Sequence, residues 1–313
     1  MSSLAGLRVF GMNATGHGAT LTTRNHVMAH TTEEAMKSID IAAAQAGTIV
    51  IGDDLEVNRL GFGSMRLTGP GIWGEPADRD EAKAVLRRAV ELGTNFIDTA
   101  DSYGPHVSEN LIAEALYPYP ENLIIATKGG LERTGPDRWP HNARPEHLKA
   151  ACEGSLQRLR LERIPLYQLH RPDQNVPYEE SVGALVELQQ QGKIHHIGVS
   201  NVDERLLGIA RGMTHVASVQ NRYNFGDRES EALVDVCERE GMAFLPWAPM
   251  HDIADKELAT IAASHHATTR QVVLAWLLAR SPAILPIPGT GSVAHLEENI
   301  AAAGLRLDPD EVH

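Results

Sequence analysis

Cysteine is scarce in this chain of 313 residues: there are two, Cys152 and Cys237. They lie far apart on helix-like segments, in neither a redox nor a zinc spacing, which excludes a disulfide framework and suits reduced thiols in the cytoplasm. Positive charge is also in short supply. Lys and Arg number 28 against 41 Asp and Glu, a formal charge of -13, which argues against general affinity for nucleic acid or an anionic membrane. An anionic ligand must therefore be held by a local device. Long apolar runs are missing too. The longest, around residues 272–279, is cut by Arg280 and Pro282, far short of the roughly 20 residues of a membrane span. Residues 1–46 have no charged segment leading into a long apolar one, so no secretory signal is read there. What is present, 42% hydrophobic and 22% charged residues, is enough to bury a full core, and a mainly disordered chain is ruled out.

Residues 1–46 read as an extension, partly disordered, separate from a domain over 47–313. Thr31 with Glu34 three positions later starts a capping pattern for a short helix running to Ala46. His17, His26 and His30 are irregularly spaced and are not assigned a metal. After Gly47, residues 48–51 and 55–57 flank Gly52-Asp53-Asp54 as a hairpin. An alternation of short apolar strands and amphipathic helices then begins and does not stop. Strands are predicted at 60–63, 95–98, 123–128, 164–170, 194–200, 217–220, 243–247 and 283–287. Helices are predicted at 78–93, 108–116, 145–159, 178–191, 204–211 and 228–239, as a pair within 256–279, and at 294–303. Eight such units over about 250 residues fit an α/β fold of the (β/α)8 TIM barrel type. An open nucleotide-binding sheet fits less well, because Gly61-Phe62-Gly63-Ser64-Met65-Arg66 lacks the third glycine of the phosphate turn.

A parallel barrel carries its chemistry where its strands end. The predicted ends are polar: Asp98, Lys128, His170, Ser200-Asn201, Gln220-Asn221 and Trp247, with Tyr103 in the loop after the second strand. Singly, each has an ordinary reading as a cap, a packing ring or a solvated charge. Together, an acid, a cation, an imidazole and a phenol on one rim point to proton transfer at a carbonyl.

The segments Phe96-Ile97-Asp98-Thr99-Ala100-Asp101-Ser102-Tyr103-Gly104, Ile125-Ala126-Thr127-Lys128-Gly129-Gly130, Leu166-Tyr167-Gln168-Leu169-His170, Gly198-Val199-Ser200-Asn201, Ser218-Val219-Gln220-Asn221 and Ile287-Pro288-Gly289-Thr290 occur in the order seen in the aldo-keto reductases. From about Leu60 to Gly304 the sequence resembles that superfamily, within it most closely the bacterial, pyridoxal reductase-like branch. The resemblance implies a barrel whose floor is closed by the N-terminal hairpin. It implies an NAD(P)H-dependent oxidoreductase reducing aldehydes or ketones, with Asp98, Tyr103, Lys128 and His170 as catalytic residues. Lys128, held by Asp98, is expected to lower the pKa of Tyr103, the general acid, while His170 orients the carbonyl.

By the same resemblance the nicotinamide would meet Asp98, Ser200, Asn201 and Gln220 and stack on Trp247. Ser64, Met65, Arg66, Ala248, Pro249 and Met250 would follow the pyrophosphate. Ile287, Gly289, Thr290, Gly291, Ser292, His295, Glu298 and Asn299 would surround the adenosine. The last stretch lacks the Lys or Arg that usually meets a 2′-phosphate there, leaving Thr290, Ser292, helix N–H groups and a protonated His295. NADP(H) is favoured and NAD(H) left open. Trp73 and Trp139, with Tyr103 and His170, would line an apolar mouth taking a small-molecule carbonyl or alcohol. The short run after the last helix implies a broad pocket. A cofactor-binding, redox-sensing subunit like the potassium-channel β-subunits is the alternative, distinguished by slow single turnover. No nucleic acid, membrane or metal is expected as a partner, and the oligomeric state is left unassigned.

Overall fold

The computed structural model describes residues 42–251 and 256–312, which lie within one compact unit. The expected helix from Thr31 falls outside the described residues as far as residue 41, as do His17, His26 and His30. Its last part is not α-helical: Ala42 is extended (φ -139°, ψ 129°) and Ala43–Ala46 form a 3-10 turn ended by Gly47 at φ 81°. Ala43 is fully buried, and its N–H bonds to Leu92 O at 2.9 Å.

The hairpin forms as expected, β1 (Thr48–Ile51) antiparallel to β2 (Leu55–Asn58). Gly52 sits at φ +63°, a conformation that costs a side-chain-bearing residue and suits glycine. Ile51 and Val57 are fully buried and pack with Phe96, Ala126, Leu166 and Leu285 to plug the floor of the barrel.

Seven parallel strands follow in sequential order: β3 (Phe62–Gly63), β4 (Phe96–Asp98), β5 (Ile124–Gly129), β6 (Ile164–Leu169), β7 (Ile194–Ser200), β8 (Val216–Gln220) and β9 (Ala243–Phe244). Between and after them lie α1 (Arg79–Glu91), α2 (Val107–Leu116), α3 (Pro145–Leu159), α4 (Tyr178–Gln190), α5 (Glu204–Met213), α6 (Glu231–Glu240), α7 (Lys256–Ser264), α8 (Thr269–Arg280) and α9 (Val293–Ala301). Asp78 caps α1 by accepting from the N–H groups of Asp80 and Glu81. The Glu81 carboxylate does not complete a capping box; it reaches across to Val293 N at the start of α9. The helix expected from Arg228 begins later, at Glu231, because Asp227 draws Glu229 N into a turn ahead of it.

The eighth expected strand, 283–287, is not a regular one. Pro286 and Pro288 have no N–H to give to a ladder, so the segment only accepts from its neighbour: Gly61 N and Gly63 N bond to Pro286 O (2.9 Å) and Pro288 O (3.2 Å). On its other side Phe244 N donates to Ala283 O and Leu285 N to Phe244 O. Bonded on both flanks, it joins the first strand to the last and closes the (β/α)8 barrel. Among the described residues no helix is long and apolar enough to cross a membrane.

Candidate active site

Alternate residues of each strand face the barrel axis, and the inward positions nearest the C-terminal ends are the polar ones. Asp98 ends β4, Lys128 near the end of β5 is paired in register with Gln168 of β6, and Ser200 and Gln220 are paired at the ends of β7 and β8. His170 follows β6 directly. Tyr103 arrives from the turn after β4, with Tyr103 N donating to Ala100 O. All seven side chains are buried, Lys128 completely.

Lys128 is the hub. Its Nζ donates to Asp98 Oδ2 at 2.6 Å, to Thr99 O at 2.8 Å and to Tyr103 Oη at 3.3 Å. The other carboxylate oxygen of Asp98 accepts from Gln220 Nε2 (2.9 Å) and Gln168 Nε2 (3.2 Å). Below it, Ser64 Oγ donates to Asp98 O. The Tyr103 ring meets His170 edge-on, centroids 5.8 Å apart, and Trp139 likewise at 6.4 Å. Ser102 Oγ lies 3.4 Å from His170 Nδ1.

Electrostatics depart from the sequence reading at one point. Lys128 was expected to bring the Tyr103 pKa down. Burial raises it above the ordinary 10.0, Lys128 opposes that rise, and Asp98 and Asp101 add to it. The phenol therefore holds its proton more tightly than a free tyrosine does, because desolvation of the phenolate outweighs one neutralised cation. For Lys128 burial acts against the ammonium, but Asp98 and Tyr103 overcome it and the pKa is raised. Burial, then Lys128 and Arg171, push His170 well below its usual value, so the imidazole is neutral. Burial and the neighbouring Glu109 raise Asp101 well above the carboxylate range. Its Oδ1 has no hydrogen-bond partner.

These groups open into a cavity of about 630 Å³. Of the residues expected to hold cofactor or substrate, Met65, Arg66, Asp98, Tyr103, Trp139, His170, Ser200, Asn201, Gln220, Trp247, Ala248, Pro249, Met250, Ile287 and Gly289 line it. Ser64 lies beneath, tied to Asp98 O and Ser108 Oγ. Thr290, Gly291, Ser292, His295, Glu298 and Asn299 are not part of its wall. Glu298 instead accepts from Thr268 Oγ1 and Asn299 is buried. Trp73 is also off the wall and faces the Arg133 guanidinium at 5.6 Å.

Asn201 is more committed than expected. In a left-handed conformation (φ 59°), it donates from Nδ2 to His170 O and Ser200 Oγ, while its Oδ1 accepts from Trp247 Nε1 (3.1 Å) and Arg171 Nη2 (3.1 Å). It thus fixes the indole plane. Several residues escaped the sequence reading: Gly63, Leu131, His141, Arg171 and His251 on the wall, and Arg133 behind it. Arg133 lies 3.6 Å over Trp139 and donates to Gly71 O, Ile72 O and Ser102 O. Arg171 stands one place after His170 and was within reach of the strand-end argument. Arg133 and His141 sit in a loop where no period applies.

The profile of the aldo/keto reductase family matches residues 59–313. An oxidoreductase of Schizosaccharomyces pombe is 47% identical over 274 residues, 86% of this chain and 89% of that protein. Pyridoxine 4-dehydrogenase of Escherichia coli is 44% identical over 263 residues, 81% of this chain and 92% of that one. Among solved structures, a thermostable aldo-keto reductase in complex with the inhibitor epalrestat superposes with TM-score 0.73 at 32% identity, covering 85% of this chain and 97% of that one. A Klebsiella pneumoniae aldo/keto reductase in complex with NADP and acetate superposes with TM-score 0.71 at 27% identity, covering 84% and 92%.

Proposed function

Since the chain belongs to the aldo/keto reductase family, we propose that its rim cavity reduces aldehydes or ketones to alcohols with NADP(H), Tyr103 acting as general acid. The observation that carries this reading is the position of Lys128 Nζ, at 2.6 Å from a carboxylate and 3.3 Å from a phenol on the wall of the cavity. Such an arrangement stabilises a phenolate at the moment the proton leaves. Tyr103 keeps its proton at neutral pH and gives it up to an oxygen that becomes an alkoxide. Lys128 then faces the new negative charge, and Asp98 holds the ammonium in place. Neutral His170 donates a hydrogen bond to the same oxygen and orients it.

The donor set fits a nicotinamide nucleotide. Trp247 offers a flat face locked by Asn201. Gln220 has its Nε2 committed to Asp98, so its carbonyl oxygen is what it presents to a carboxamide. Ser200 and Asn201 bond to each other and act through Trp247 and Gln220, Ser200 Oγ donating to Gln220 O. When bound, the cofactor supplies the hydride that no side chain can.

The cation missing from 287–299 is replaced from another loop. Arg66 runs beside Gly289, its Cγ 3.7 Å from where a Cβ would stand there, and its carbonyl packs against Gly291. That cation supports NADP(H), as does the NADP complex of the Klebsiella relative. The Escherichia coli relative's name makes pyridoxal-type aldehydes the first substrates to try. With NADPH and a panel of aldehydes including pyridoxal, nicotinamide absorbance is expected to fall. Tyr103→Phe is expected to reduce kcat by at least about 100-fold while NADPH still quenches tryptophan fluorescence. Full turnover in that variant removes Tyr103 from the role, and no consumption with any aldehyde overturns the reading.

A further inference from the structure

At the opposite end of the barrel, three side chains from distant parts of the chain converge on one point. Asp54 stands in the turn between β1 and β2; His195 and His196 begin β7. Asp54 Oδ2 lies 2.7 Å from His195 Nε2, and Asp54 Oδ1 lies 2.6 Å from His196 Nε2. Neighbouring side chains of a strand ordinarily point to opposite faces. Here the two rings turn together instead, centroids 4.1 Å apart, with both Nε2 atoms on the same carboxylate. The ligand atoms all lie within 4.8 Å of one another. The turn is shaped to the ring it covers, since a Cβ on Gly52 would stand 2.3 Å from His196 Cε1.

We propose that Asp54, His195 and His196 form a binding site for a divalent transition metal, with Zn2+ the best match. Two imidazoles and one carboxylate are the donor set of Zn2+, Co2+ or Ni2+, whereas Ca2+ and Mg2+ take oxygen ligands. Ligands about 2.0–2.2 Å from a tetrahedral zinc lie about 3.3 Å apart. The two N···O spacings need to open by only about 0.6–0.7 Å to admit the ion. The Asp54 carboxylate only accepts, so each Nε2 carries a proton in this structure; on binding, that proton leaves Nε2 and passes through solvent to Nδ1, and the neutral imidazole presents its Nε2 lone pair to the ion. The carboxylate removes one of the ion's two charges. Asp54 is half exposed and His195 partly so, which gives the ion a path from solvent and leaves a fourth position for water. None of the three residues lines the rim cavity. The site's effect is to tie the floor hairpin to β7, 141 residues further along the chain.

The test uses the untagged full-length protein, stripped of metal by a chelator. It is titrated with Zn2+ by calorimetry and with Co2+ by visible absorption. One equivalent of Zn2+ is expected to bind, raising Tm, and Co2+ is expected to show the intense bands of a low-coordinate site with nitrogen ligands. Asp54→Asn and His196→Ala are each expected to weaken Zn2+ by at least about 100-fold, beyond the loss usual for a residue that merely supports a ligand. Asp54→Asn should leave carbonyl reduction unchanged, with or without zinc. Binding only at millimolar Zn2+, or binding equally tight in Asp54→Asn, His195→Ala and His196→Ala, overturns the proposal. The three residues are then a hydrogen-bonded latch on the hairpin. The wild-type cobalt spectrum decides independently of whether any variant folds: weak octahedral bands alone also overturn it.

Discussion

Lys128 is completely buried and would ordinarily lose its charge; here Asp98 keeps it an ammonium, and the phenol of Tyr103 is set against it. Lys128 does act to lower the Tyr103 pKa, as its place in the sequence implied, but desolvation raises it more, and desolvation depends on burial, a property of the folded site. With the Tyr103 pKa raised above 10.0, the acid stays protonated throughout the neutral range. The kcat for carbonyl reduction is expected to stay level there and decline only in strongly alkaline solution; a decline beginning below pH 10 contradicts the assignment. His170 gives a stability prediction. Its folded pKa lies well below the ordinary 6.5, so as pH falls through 6.5 the unfolded chain binds a proton that the folded site refuses, and stability drops. His170→Gln is expected to flatten that part of the stability curve in urea titrations at successive pH values.

At the scale of elements, the period of apolar residues located most helices to within a few residues, since each needs one buried face. It could not show how the helices are tied to one another. Glu109 of α2 is completely buried, bonding through Oε2 to Arg158 Nε of α3 (2.6 Å) and accepting at Oε1 from Thr127 Oγ1 of β5 (2.6 Å). Its two partners lie 18 and 49 residues further along the chain, spacings for which sequence offers no rule. Removing the arginine leaves a buried carboxylate unpaired. Arg158→Met is expected to lower the unfolding free energy by about 3–5 kcal/mol, read from urea midpoints; a loss under about 1 kcal/mol would place this pair with ordinary surface ion pairs.

Closure of the barrel is settled at the scale of the whole molecule. The seam between the last segment and the first strand is short of donors, because Pro286 and Pro288 supply none. Two devices compensate. Gly63 and Gly289 bring their backbones so close that a Cβ on either would meet the opposing carbonyl oxygen at 2.6 or 2.5 Å. Arg59 reaches across to the carbonyls of Leu278, Ser281 and Ile284. Arg59→Met takes the side-chain donor from all three carbonyls, of which Ser281 O keeps Ile284 N, and is expected to cost about 2–4 kcal/mol, measured by thermal and urea unfolding. Gly289→Ala is expected to destabilise by about 1–3 kcal/mol and to weaken NADPH binding as well, since Gly289 also lines the cavity.

Local pattern alone determined the alternation of strands and helices, the hairpin at Gly52, and the polar strand ends from which Asp98, Tyr103, Lys128 and His170 were chosen. Those features depend on spacing along the chain and on the two periods of regular backbone. Only the tertiary structure decided the sign of the Tyr103 shift, the approach of Arg66 to Gly289, the place of His141 on the cavity wall with Arg133 behind it, and the meeting of Asp54 with His195 and His196. Each of these depends on groups brought together through space from separate loops or strands, and on how far water is excluded between them, neither of which a linear pattern encodes.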